Sequence, residues 1–550
     1  MKRWFENTYI QATLLALGFL LIFLALYSRD YMAVDGTTRC LAVSHRNEIF
    51  FHGNNHLLFP VNVFLWHKFL AFFGLKASNK LDYIHLTTWM NALAASGVLA
   101  VFYLLIKFVT KSTKYSLAIT ICYGFSRAFL MHATNASEPM IGLFWSVLAI
   151  KILVIALEKN YTKLIFLVGF LFALTMATYQ SMVLLSPMTV LLCLQWPTTE
   201  SFKKLIYRLG YLFSGSIFGV ATIYGYAYYT TGTKDLSSMI ARFFAVTGDS
   251  VYGSWALSKV LSLPIQFVRS ILPIWPGDFA GIIGWFIETF GDTWVYWAYL
   301  VYGLLFVLGI LLAFFVWQIR KEITTVEKIA IQAALAGIIL PLVAAAYWFP
   351  GYDKLWLQPN FCLVFLFGVL VKQASSLTRF NLFLPAILLF IVLEISSNLF
   401  WLIPSHYQKN MALSGAEEVS KIVKSPPDLV IADWDHVSLL YGALWSYHIY
   451  SFPSAAEQRG VAVLAEVEKL IEETKQRDGK VYFLGLLDET EYTWSVFIGA
   501  RGVPYESFDK YRRQARKIKH FKFSAFESSL RVLEFNDEMT LENTNKNNSQ

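Results

Sequence analysis

Apolar residues in this chain come in long blocks separated by short polar breaks. Residues 9–28 read YIQATLLALGFLLIFLALYS, with no charged side chain among them. At 1.5 Å per residue, such a run crosses roughly 30 Å of hydrocarbon as a helix. Blocks of the same kind recur at 86–108, 115–133, 139–156, 164–178, 182–194, 209–229, 294–317, 329–348, 361–371 and 383–402. The pattern predicts about eleven transmembrane helices. Two apolar stretches read differently. In LLFPVNVFLWHKFLAFFGL the run is interrupted by Trp66, His67 and Lys68, and the stretch following Thr231 is broken by Pro264, Pro273 and Pro276. Both are expected to lie as interfacial helices and loops over the outer face.

After Pro404 the periodicity changes. SGAEEVSKIVK, HVSLLYGALWSY and VAVLAEVEKLIEETKQRDG predict helices, and DLVIADW, HIYSFP, KVYFLGLL and LRVLEF predict strands. This alternation predicts a small, mostly parallel sheet. The expected organisation is a membrane domain at 1–404 with outer loops at 29–85 and 231–293, a soluble α/β domain at 405–537, and a polar, disordered tail at 538–550.

Composition and charge agree with that reading. With 56% hydrophobic, 17% aromatic and 15% charged residues, the chain carries more apolar surface than an ordinary soluble protein. Its net charge of +8 is concentrated in short loops. Lys2 and Arg3, Lys107, Lys111 and Lys114, Lys159 and Lys163, Lys203, Lys204 and Arg208, Arg320, Lys321 and Lys328, and Lys372 and Arg379 all fall on one side, which makes that side and the N-terminus cytoplasmic. The positive charge therefore reports topology, and no nucleic-acid partner is expected. No small-residue cleavage site follows the first apolar block, so it is expected to stay as an anchor. Cys40, Cys122, Cys193 and Cys362 fall one per segment and suggest neither a disulfide framework nor a zinc cluster. There is no Gly-rich phosphate-binding motif and no internal repeat.

The candidate chemistry lies at the outer edge. Asp35 follows the first span in a loop that also holds Asp30, Glu48, His45, His52 and His56. A carboxylate at the membrane interface can take a proton from an attacking hydroxyl or amine; the alternative is a loop aspartate capping a helix from Gly36. Glu138 sits in HATNASEPMIGLFW, where Ser137 or Asn135 can cap and Pro139 suits the first turn. An acidic residue there is favourable by roughly 0.3 to 1 kcal/mol whatever else it does. Arg127 precedes it; an arginine at mid-membrane costs about 2.5 to 3.5 kcal/mol, so Arg127 is expected at the outer edge or facing a polar cavity. In YWFPGYDKLWLQPNFCL, Lys354 stands with Tyr352 and Trp356, an arrangement that suits a lipid phosphate and equally an aromatic belt with a snorkelling lysine. His56 can bond a phosphate or an acceptor, or serve structure alone.

Together these features resemble the GT-C membrane glycosyltransferases, in particular the group of protein O-mannosyltransferases and lipid A aminoarabinose transferases. The resemblance rests on Asp35 after span one, HLLFP at 56–60, NASEP at 135–139, KLWLQP at 354–359 and an outward soluble domain. It implies a polytopic α-helical membrane protein with a C-terminal α/β domain, in the inner or plasma membrane. The implied activity is inverting transfer of a sugar from a polyprenyl-phosphate carrier to a lipid, glycan or protein acceptor. It makes Asp35 the general base, Glu138 a second acidic residue, and Lys354, His56, Arg127, Tyr352 and Trp356 substrate contacts. A divalent metal, Mg or Mn, would fall to Asp35 and Glu138. Where relatives carry an acidic pair in the first loop, this chain has Asp35 followed by Gly36 and Thr37. The rival readings are a lipid flippase, which would place polar groups near the midplane in broken helices and repeats, and an envelope assembly protein without catalysis.

The loop charges generate a topology prediction. Single cysteines introduced as Lys203→Cys and Ser451→Cys should be labelled from opposite faces of sealed vesicles. Labelling of both from one side would overturn the threading.

Overall fold

A computed structural model describes residues 7–27, 56–195, 202–231, 257–272, 323–347, 353–377, 383–407, 411–423, 427–433, 449–489, 502–522 and 527–534, with isolated positions between them. The chain divides into two compact units, Met1–Gln408 and Lys409–Gln550.

In the first unit the apolar blocks are helices: α1 (Thr8–Ala25), α2 (Leu58–Phe72), α3 (Lys80–Thr110), α4 (Thr113–Phe125), α5 (Arg127–Ala133), α6 (Glu138–Glu158), α7 (Leu164–Thr178), α8 (Ser186–Gln195), α9 (Phe202–Thr231), α10 (Leu257–Ile271), α11 (Thr325–Tyr347), α12 (Leu357–Leu377) and α13 (Phe383–Tyr407). Single 3-10 turns precede α8 (Gln180–Leu185) and α12 (Asp353–Trp356). Among the described residues, six helices are long and apolar enough to cross a membrane, and shorter apolar helices stand beside them. The chain is a polytopic membrane protein. The span expected at 294–317 lies mostly outside the described residues.

One expected span is two helices. Ser126 is extended (φ −60°, ψ 140°), and its N–H and hydroxyl both donate to Tyr123 O, which ends α4 and lets α5 start in a new direction. The Phe125 carbonyl at the break accepts from Asn398 Nδ2 of α13 at 2.8 Å, and the same amide reaches Ile271 O at the end of α10 (2.9 Å). The expected span at 182–194 likewise opens as a 3-10 turn.

At the opposite end, Thr324 and Glu327 form a reciprocal cap on α11. The Thr324 N–H and hydroxyl donate to Glu327 Oε2 (2.8 Å each), and the Glu327 N–H returns to Thr324 Oγ1 (3.3 Å). Lys372 Nζ of α12 lies 3.0 Å from Glu327 Oε1, tying α11 to α12. The bundle centre is aromatic: Phe102, Tyr123, Phe129 and Phe361 pack with ring centroids 4.7 to 6.2 Å apart.

Helices α7 and α9 touch through backbone. Lipid supplies no hydrophobic drive between helices, so close approach of small residues takes its place. A Cβ on Gly215 would stand 2.0 Å from Phe166 O, and one on Gly169 2.0 Å from Leu212 O. Gly219, one turn after Gly215, meets Ala173. The Ser216 hydroxyl shares its one proton between Leu212 O of its own helix (3.0 Å) and Gly169 O across the seam (3.2 Å).

The second unit holds α14 (Met411–Ile422), β1 (Leu429–Ala432), β2 (Ile449–Ser451), α15 (Phe452–Arg459), α16 (Val463–Gln476), β3 (Val481–Leu484), α17 (Asp509–Gln514), β4 (Ala515–Lys522) and β5 (Glu527–Leu533). The sheet order is β2-β1-β3-β5-β4. β1 pairs in parallel with β2 and β3, whereas β5 is antiparallel to both β3 and β4. The sheet is therefore mixed, correcting the mostly parallel expectation. The sequence concealed β4, ARKIKHFK, because it is an edge strand whose cations read as a loop; charge on an edge discourages further strand pairing. Phe452, Phe483, Trp494 and Phe508 fill the core on one face. The tail at 538–550 lies outside the described residues.

The helix seam is directly testable. Gly215→Leu should destabilise the protein by about 1 to 3 kcal/mol or more through overpacking, read as a lower thermal midpoint in detergent. Gly210→Ala, in the same helix but with open space around it, should leave the midpoint unchanged or raise it slightly. Equal effects from both would remove the close-packed seam.

Candidate functional site

Several of the predicted site residues lie where helices end on the side away from the loop lysines. Asn91, fully buried in α3, donates through Nδ2 to Asn135 O (2.6 Å) and Ser137 O (2.7 Å), fixing the NASEP turn. Ser137 stands at the N-cap of α6 in extended backbone, yet its side chain does not cap. Its hydroxyl is bonded instead to His132 Nδ1 at 2.6 Å. Asn135 does not cap α6 either: its amide turns back to Met131 O at the end of α5 (2.9 Å). Glu138 opens α6 with Pro139 behind it and is 3% exposed. Arg127 is buried at the first position of α5, at the helix break rather than inside a continuous span.

His56 stacks on Tyr179, with ring centroids 4.9 Å apart and planes 7° from parallel. Tyr179 in turn packs against α6 at Gly142, where an added Cβ would come within 3.0 Å of its Cβ. Tyr179 therefore links His56 to the helix that Glu138 begins, one turn beyond Glu138 itself.

The Asp353–Trp356 turn packs against α5, α10 and α11. Lys354 is half-buried there, close in the fold to the helix that Arg127 begins. Trp356 is only 1% exposed, with its ring 6.1 Å from Phe267, so it serves as packing beneath the turn. Tyr123 OH donates to Leu357 O (3.3 Å) and holds the start of α12. Asp35 and Tyr352 lie outside the described residues.

A hydrogen-bond hub anchors the chain shortly after Asp35. The Thr87 hydroxyl donates to Tyr83 O (2.9 Å). Cys40 Sγ and His67 Nε2 each lie 2.9 Å from the same hydroxyl, and Cys40 Sγ also faces Tyr83 O (3.9 Å). Burial pushes the Cys40 thiol up to about 12, partly offset by the Thr87 bond. Burial likewise lowers His67 to about 4, with a backbone bond at Tyr83 opposing. Cys40 is therefore a protonated thiol, unsuited to nucleophilic work, and His67 a neutral imidazole stacked on Tyr83 at 3.5 Å.

Sequence reasoning passed over Asn91, Thr87, His67 and the amides Gln180, Gln358 and Asn360. Gln358 Nε2 reaches Met182 Sδ (3.1 Å) and Ser181 Oγ (3.4 Å), and the Asn360 amide pairs with Ser270 (3.0 Å). The available signal was a set of carboxamides at the ends of apolar blocks away from the loop lysines. Among the described residues no three of His, Cys, Asp and Glu converge, and Asp35, expected beside Glu138, lies outside them, so the described side chains do not by themselves fit a metal centre.

No protein-family profile and no curated protein matches this chain. Among solved structures, the crystal structure of ArnT from Cupriavidus metallidurans bound to undecaprenyl phosphate aligns over 95% of this chain and 97% of that chain, with a TM-score of 0.53 at 8% identity. At that identity the likeness is one of fold. Helical membrane unit and C-terminal sheet included, this chain has the GT-C membrane glycosyltransferase fold seen in ArnT.

Proposed function

We propose that this protein is a membrane glycosyltransferase that moves a sugar from a polyprenyl-phosphate carrier to an acceptor at the outer face of the cytoplasmic membrane. The observation that carries the proposal is an ArnT-like fold over nearly the whole chain, in a relative whose crystal structure holds undecaprenyl phosphate. A carboxylate, two cations and an imidazole at one end of an apolar bundle support it. A phosphorylated headgroup on a tail that cannot leave the bilayer needs that combination.

In this reading the Asp35 carboxylate takes the proton of the acceptor hydroxyl as its oxygen attacks the anomeric carbon from the face opposite the phosphate. The bond from that carbon to the phosphate oxygen breaks with its electron pair, polyprenyl phosphate leaves, and the anomeric configuration inverts. Lys354 holds the phosphate and is worth more as negative charge builds on the departing oxygen. Arg127 supplies a second cation at the same end. Glu138, at the start of α6, orients the acceptor, while His56 and Tyr352 border the donor and Trp356 supports the Lys354 turn from below. The N-terminus is cytoplasmic and the α/β unit faces outward.

Two variants test the roles separately. Asp35→Asn keeps size and most hydrogen bonding but removes the proton acceptor, so transfer should fall by about 10² to 10⁴-fold with carrier binding retained. Lys354→Ala should weaken carrier binding and turnover together, since the cation acts on the phosphate in both the bound and transition states. Near wild-type transfer by purified Asp35→Asn would refute the base, and unchanged carrier affinity in Lys354→Ala would refute the phosphate contact.

A further inference from the structure

Two glutamines at the outer end are left with complementary bonding capacity. Gln358, 1% exposed in the first turn of α12, directs Nε2 toward Met182 Sδ (3.1 Å) and Ser181 Oγ (3.4 Å). A thioether sulfur can only accept, so this fixes which end of the amide is which. Its Oε1 is buried with no hydrogen-bond partner among the described residues. Gln180, next to Ser181, has the opposite gap: its Nε2 is buried and faces the Tyr224 hydroxyl only as a weak contact outside hydrogen-bond geometry, with no other partner among the described residues. Asn62, on the helix that begins just after His56, leaves its Nδ2 donor in the same condition.

Buried polar atoms without partners are few in native proteins, because each forfeits its hydration without return. Here two donors and one acceptor of this kind sit on segments that the His56–Tyr179 stack and the Gln358–Ser181 contact bring to one end of the bundle. None of the three carries charge. Gln358 also stands one turn after Lys354 along the chain, roughly 6 Å of helical rise from the proposed phosphate contact. In the proposed transfer, the sugar attached to that phosphate would come within about one helical turn of Gln358.

We propose that Gln180, Gln358 and Asn62 are specificity residues that read the hydroxyls of an uncharged sugar on the carrier lipid. The chemistry follows from what each group can do. A hydroxyl both accepts from an amide N–H and donates to an amide oxygen, so a sugar presenting several of them satisfies all three side chains. An ammonium cannot accept from Gln180 or Asn62, and a carboxylate cannot donate to Gln358. Either would leave buried groups open, and such mismatches discriminate more strongly than a missing apolar contact. The inference rests on the proposed transfer from a polyprenyl phosphate and adds the class of sugar.

The test uses full-length protein in nanodiscs and measures binding of bare undecaprenyl phosphate, of the same lipid carrying glucose, mannose or galactose, and of the lipid carrying 4-amino-4-deoxyarabinose. At least one neutral hexose lipid should bind about tenfold or more tighter than the bare carrier, and tighter than the amino-sugar lipid. Gln180→Leu and Gln358→Leu should each remove most of that gain while leaving bare-carrier affinity within about twofold; the retained affinity also reports that the variants fold. Gln358→Glu places a carboxylate where the open amide oxygen stood and should shift preference toward the amino sugar, which a purely structural role for Gln358 would not do. Equal binding of bare and hexose lipids by the wild type, tightest binding of the amino-sugar lipid, or leucine variants that keep the gain would overturn the inference. Failure of the wild type to bind even the bare carrier would instead overturn the proposed function on which it rests.

Discussion

Hydrocarbon offers no hydrogen bonds, so every interruption of a helix inside this bundle has to be answered by a side chain. Asn398 answers the break at Ser126 by bonding Phe125 O and Ile271 O. Asn91 answers the turn between α5 and α6 by bonding Asn135 O and Ser137 O. Without these amides the carbonyls would be buried and open, and α5 could not leave the line of α4. The direction of α5 in turn decides where Arg127 lies and which surface meets the Lys354 turn. The end of the bundle away from the loop lysines is thus held together by neutral amides.

The same solvent explains the unequal roles of large and small residues. Between α7 and α9 the helices approach until only glycine fits, because van der Waals contact and a shared hydrogen bond are what remain when lipid is as apolar as leucine. Around Phe102 and Tyr123 the bundle is filled instead by interlocked rings. Broad, rigid side chains occupy the space where helices splay. In the second unit water is again the solvent, and the rules invert: β4 keeps its edge open to water and marks it with cations rather than burying it.

Much of this was legible in the sequence wherever one physical term dominates. Apolar length predicts the long helices, because a bilayer tolerates little else, and period predicts β1, β3, β5 and α16 in the second unit. The break at Ser126 was not legible. FSRAFLMHA contains neither proline nor glycine, and the bond that pays for the interruption comes from Asn398, hundreds of residues away. Strand β4 was hidden because its pattern of lysines is set by exposure at an edge, which depends on its place in the sheet. In the candidate site, Glu138 and Lys354 stood out through charge at a helix or turn boundary. Gln180 did not, and Gln358 entered only as part of KLWLQP, since an uncharged amide beside an apolar block carries little local signature of its own.

That last point bears on why a fold can persist while identity falls to 8%. Helix length, loop charge and small-residue seams can be met by many sequences, so the scaffold places little demand on which apolar residue stands where. Chemistry demands more, but only at a few positions, and the candidate positions in this chain lie in turns and first helical turns. A carrier lipid imposes the same division on any protein that handles it: a long tail indifferent to sequence, a phosphate that asks for a cation, and a sugar that asks for particular donors and acceptors.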